Sequence, residues 1–181
     1  MLFFSDSFIS PFIAHMKKLL IGAIICTTLV IAGCSINGDP KAYNDQLINI
    51  HQWVLDQYQV YINDLGSGET PTLTKDRQTT LDTIKKAQNS YATMEWYKWD
   101  TDLLQSLVAY MSGLDMVVRN QEWKVISFLF SSSGELTTEQ QIEYKGLSDQ
   151  IEKSLTDLDQ KLQQTQETFA KKRNYQLKTI E

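Results

Sequence analysis

The stretch "DLLQSLVAYMSGLDMVVRNQEWKVISFLF", residues 102–130, decides the reading of this chain. Leu104, Leu107, Met111, Leu114, Val118, Val125 and Leu129 recur at helical spacing. Leu103, Tyr110, Val117 and Phe128 widen that stripe. No proline interrupts it, and no run alternates with the two-residue period of a half-buried strand. The stretch is therefore expected to be one long helix, apolar enough to sit at the centre of a helical assembly. A second face, including Trp123 and Phe130, is an alternative site for another subunit or a partner. Gly113 lies mid-helix, where it costs about 1 kcal/mol relative to alanine; a close helix crossing would explain it.

Three further helices follow on either side. Asp39-Pro40 supplies an N-cap and a proline in the first turn. Tyr43, Leu47, Ile50, Val54, Tyr58, Tyr61 and Leu65 then form one apolar stripe, which "GSGETPT" ends. The second helix is expected from about Thr74 to Glu95, with Leu81, Ile84, Ala87, Tyr91 and Met94 inward. "WYKWDTD" makes the next junction, where Asp100 or Thr101 is placed to cap the central helix. After "SSSGEL", Thr137-x-x-Gln140 reads as a capping box. The last stripe is Leu147, Ile151, Leu155 or Leu158, Leu162 and Phe169, with a polar gap at Thr165 or Gln166. This helix, from about 138 to 178, would be about 60 Å long, so either Gly146 interrupts it or its end projects. The expected fold is all-α, an antiparallel up-down four-helix bundle over residues 40–181 with short connections.

The amino terminus carries a different signal. Met16-Lys17-Lys18 precedes "LLIGAIICTTLVI", a basic segment followed by 13 mostly apolar residues. Such a helix is about 20 Å long, short of a hydrocarbon core of about 30 Å, so it reads as an export signal. Ile31-Ala32-Gly33-Cys34 then resembles the lipobox of bacterial lipoproteins. The small residues let a peptidase approach the backbone, and the Cys34 thiol is the expected lipid attachment point. Residues 1–33 are thus expected to form the leader, with Met16 as its true start, and residues 34–39 a lipidated tether. Cys26 would leave with the leader, so the bundle would hold no intrachain disulfide. The resemblance implies acyl chains on Cys34, two of which anchor durably at about 0.8 kcal/mol per buried CH₂. With Ser35 next, it also implies sorting to the outer membrane of a two-membraned cell envelope.

Tyr43-Asn44-Asp45, the apolar central helix and "QETFAKKRNYQL" near the end resemble a family of bacterial surface lipoproteins in which a helical bundle follows the lipobox. That resemblance implies no activity and no catalytic residues.

Chemistry is sparse. The formal charge is −5, and the basic residues are scattered, which argues against nucleic-acid binding. Cys26 and Cys34 form no CxxC pair, so neither a zinc ribbon nor a thioredoxin-type motif is available. His51 alone cannot build a two-metal bundle, which needs Glu-x-x-His pairs on two helices; it is expected at a surface or boundary. Asp100 and Asp102 beside Trp96, Tyr97 and Trp99 imitate a sugar site, but helix capping explains those acids better. No metal or cofactor is expected.

In an up-down bundle, "WYKWD" and the carboxyl terminus return to the tethered end. Trp96, Tyr97, Trp99, Lys171, Lys172, Arg173 and Lys178 are therefore candidate membrane-facing residues. The expected function is a non-enzymatic, lipid-anchored envelope protein that binds or scaffolds, its partners the membrane and another envelope protein. The alternative is a carrier lipoprotein with an apolar pocket lined by Tyr58, Tyr91, Tyr110 and Met111.

Overall fold

The Asp39 carboxylate accepts a hydrogen bond of 2.9 Å from the Lys41 N–H, which starts α1 (Pro40–Leu65). The structure is a computed structural model that describes residues 39–65, 70–95, 101–131 and 136–177. Four helical rods account for nearly all of these residues, and no strand occurs among them. The second rod, α2, spans Thr70–Ala92. It begins four residues before the expected Thr74, because Pro71 falls in the first turn, where a missing N–H breaks no helical bond.

The third rod is α3 (Asp102–Met116), a π-helical turn (Val117–Gln121) and α4 (Glu122–Ser131) in unbroken succession. The expected single helix is thus present, with a widened turn that periodicity did not announce. Thr101 stands at its N-cap, but its side chain accepts no capping bond. Asp102 in the first turn supplies the favourable negative charge instead.

The fourth rod, α5 (Thr138–Lys172), opens on the expected capping box: Gln140 N–H donates to Thr137 Oγ1, and Thr137 N–H to Gln140 Oε1. It runs without interruption through Gly146. It stops before the expected residue 178, because Asn174 turns left-handed at φ 56°. Asn174 N–H then bonds Lys171 O at 3.3 Å and Tyr175 N–H bonds Ala170 O at 3.1 Å. This paired closure normally uses glycine, and asparagine tolerates it.

The stripes meet in one helical bundle. Tyr43, Leu47, Val54, Tyr58, Tyr61 and Leu65 of α1 are buried, and Ile50 is half-buried. Helix α1 packs along α2, where Tyr91 Oη donates to Leu47 O at 3.0 Å. The third rod packs along α5, where Gln121 Nε2 donates to Ser154 Oγ at 3.2 Å. Gly113 marks that crossing: a Cβ there would lie 2.5 Å from Leu158 Cδ2. Around Gly146 an added Cβ would meet nothing within 4 Å.

The two glycines therefore predict opposite outcomes. Gly146→Ala is expected to raise the unfolding free energy by about 1 kcal/mol, the helix-propensity difference. Gly113→Leu is expected to lower it by about 1–3 kcal/mol through overpacking. Adding Leu158→Ala should recover part of that loss in urea unfolding.

Candidate functional site

On α1, three inward positions seven residues apart are polar: Asn44, His51 and Tyr58. The seven-residue interval keeps them on one face, and each meets a partner from another rod. Asn44 Oδ1 accepts from Gln166 Nε2 at 3.2 Å, in the core. That pair fills the polar gap in the α5 stripe: Gln166 is buried and Thr165 half-buried.

His51 is buried, not at a surface or boundary as expected. Its ring stands edge-on to Tyr110, with centroids 4.5 Å apart, and its Nε2 has no hydrogen-bond partner. Burial without an acid partner lowers its pKa to about 4, so at neutral pH it is an uncharged core residue. Tyr110 Oη donates to Asp159 Oδ1 at 2.9 Å. Burial raises the Asp159 carboxyl to about 6, an effect the Tyr110 bond partly offsets.

The third set is the most unusual. Glu122, the residue immediately after the π turn, is fully buried at 0% exposure. Tyr58 Oη donates to Glu122 Oε1. Tyr61 stands beside the same carboxylate and helps stabilise its charge, yet its hydroxyl makes no hydrogen bond, and neither does Glu122 Oε2. Desolvation dominates and raises the Glu122 pKa to about 7, against the Tyr58 hydrogen bond, the neighbouring Tyr61 and the nearby Arg77. Burial, then the Glu122 charge, raises Tyr58 well above the ordinary range.

The geometry of the turn explains how Glu122 comes to lie inside. Its N–H reaches back five residues to Val117 O, which widens the rod by one residue. Arg77 of α2 caps the widened turn from outside, with Nε donating to Val118 O at 3.1 Å and Nη2 to Arg119 O at 2.9 Å. The guanidinium also lies over the Trp123 ring, 4.6 Å from its centroid, a cation–π contact on a half-exposed indole. Arg119 itself points away and pairs with Asp115 at 2.8 Å.

A second feature is a groove of about 470 Å³ between α3 and α5, lined by Gln105, Ser106, Gln164, Thr165 and Thr168. The Asp102–Lys172 ion pair, 3.0 Å, lies along it. It offers hydrogen-bonding groups open to solvent but no buried charge to hold a ligand.

The residues expected to matter are distributed differently. Cys34, with Ile31, Ala32 and Gly33, lies outside the described residues, as do Trp96, Tyr97, Trp99, Asp100 and Lys178. Lys171 is exposed, whereas Lys172 is engaged by Asp102 and Arg173 lies over Phe169, 5.8 Å from its centroid. Tyr58, Tyr91, Tyr110 and Met111 are packed, none more than 3% exposed, and none lines the groove. Glu122 was missed, although a signal was present. The stripe of the third rod jumps from Val118 to Val125, and Glu122 occupies the position between.

Among the described residues no group of three His, Cys, Asp or Glu side chains could hold a metal ion. No described helix is long and apolar enough to cross a membrane. Compared with known proteins, the chain matches no family model, no curated protein and no solved structure.

Proposed function

We propose that the chain is a lipid-anchored protein of a bacterial cell envelope, sorted to the outer membrane, whose bundle serves as a non-catalytic binding or scaffolding module. One observation carries the reading: Ile31-Ala32-Gly33-Cys34 follows a basic and apolar export pattern and stands five residues before the capped start of α1. That interval spans at most about 20 Å, so lipidation at Cys34 would hold the start of α1 near the bilayer.

The bundle is read as antiparallel and up-down. In support, Tyr91 meets Leu47 while Thr80 meets Gln57, at 3.0 and 3.5 Å, in opposing chain order. Asp102 meets Lys172 while Gln121 meets Ser154, likewise in opposing order. Tyr175 feels the charges of Asp45 and Asp39, so the end of α5 returns to the start of α1. Trp96, Tyr97, Trp99 and Lys171 would then face the headgroups. Lys41 is paired with Asp45 and Lys172 with Asp102, so the acyl chains, rather than charge, would supply the adhesion.

A non-catalytic role is favoured because Glu122 and His51, whose acidities are strongly shifted, are buried in the core away from any substrate. A carrier role is less favoured, because the side chains that would line its pocket fill the core instead. The test is fractionation of envelopes from a two-membraned bacterium expressing the wild type or Cys34→Ser. The wild type should sediment with outer membranes and need detergent for release, and the variant should not. Equal detergent-requiring retention of both would refute the anchor.

A further inference from the structure

The π turn, the buried acid behind it and the arginine that caps it form a unit that the anchoring role does not use. A carboxyl group with 0% exposure sits directly after a backbone irregularity. One of its oxygens takes the Tyr58 hydrogen bond, and the other has no partner. The segment that follows, α4, is only ten residues long; Glu122, Val125 and Ile126 are buried, and Phe128 and Phe130 pack half-buried against the core. Single π turns inside α-helices occur frequently at functional sites.

We propose that Glu122 and the π turn form a latch: the protonated carboxyl seats Glu122–Ser131 in the bundle, and its ionisation releases this segment while the other rods stay folded.

The groups around the latch decide its direction. From α1, Tyr58 and Tyr61 face the carboxylate, and both are held protonated by burial and by the acid itself. From α2, Arg77 is the one cation acting on it among the described residues, and its guanidinium is engaged by two backbone carbonyls and Trp123. Within the third rod, Asp115 and Arg119 neutralise one another. From α5, the turn meets the neutral Ser154, while Asp159 is engaged by Tyr110. A negative charge on Glu122 would thus meet two neutral phenols and one partly committed cation, in a site without water contact. Moving out to solvent relieves that charge and would uncover Val125 and Ile126.

The test is hydrogen exchange of the full chain from pH 5 to pH 8, corrected for intrinsic rates and repeated in low denaturant. A carboxyl that passes from a pKa of about 7 when seated to the ordinary 4.5 when released changes the opening constant by about seventyfold over that range. The wild type should show that rise in peptides from 122–131, with a shallow denaturant dependence. Peptides from α1 should keep the steep dependence of global unfolding. Glu122→Gln keeps an acceptor for Tyr58 and should remove the pH dependence. Arg77→Met should raise the opening constant and, because Arg77 holds the seated carboxyl down, extend its pH dependence to higher pH. Two results would overturn the latch: a rise of the same size in Glu122→Gln, or exchange of 122–131 that tracks α1 in both rate and denaturant dependence.

Discussion

Replacing Glu122 with alanine is expected to lower the unfolding free energy at pH 5 by about 2–4 kcal/mol, from a lost hydrogen bond and the cavity left behind. At pH 8 most of that cost should disappear, because the wild type has by then lost stability of its own. The Glu122 carboxyl titrates near 7 when folded, against an ordinary 4.5. The folded state therefore holds the proton that the unfolded chain has already released. Its contribution is fully present below pH 4.5 and is lost as pH rises to 7, a total of about 3 kcal/mol.

Two other groups, the half-buried Asp159 and the buried His51, titrate at lower pH with opposing signs. Asp159, raised to about 6, also loses stability as pH rises. His51, lowered to about 4, gains it as pH rises from 4 towards its ordinary 6.5. These two nearly offset one another, which leaves Glu122 to set the slope. Urea unfolding across pH 5–8 should show falling stability in the wild type and a nearly flat profile in Glu122→Gln.

Phe169→Ala is expected to cost about 3–5 kcal/mol at all these pH values. Its ring is 2% exposed and closes the end of the bundle where α5 stops. Tyr43 lies 6.0 Å away by centroid and Tyr175 6.1 Å. Removing it would empty the contact on which the left-handed closure at Asn174 rests, so residues 174–177 should also lose exchange protection. A loss under 1 kcal/mol in urea unfolding would show that this end is not part of the cooperative core.

The helices were legible because their apolar residues recur at three- and four-residue spacing with few competitors. Asp39, and Thr137 with Gln140, announced helix starts because capping depends on residues close together in the chain. The close crossing at Gly113 was an open possibility in the sequence, and Leu158 supplies its partner. Features that depend on distant residues were hidden. Nothing near His51 in the chain says that Tyr110 will cover its ring. Nothing near residue 117 says that Arg77 will donate to the carbonyls of a widened turn. Glu122 shows both sides: its place on an apolar stripe was visible, but its tyrosine partners lie more than 60 residues away.

The anchoring claim is tested most directly by the mass of the amino-terminal peptide of the mature protein, purified in detergent from bacterial membranes. The proposed function predicts that this peptide begins at Cys34 and carries two or three acyl chains. A mature chain that retains residues upstream of Cys34, or an unmodified Cys34, would contradict it.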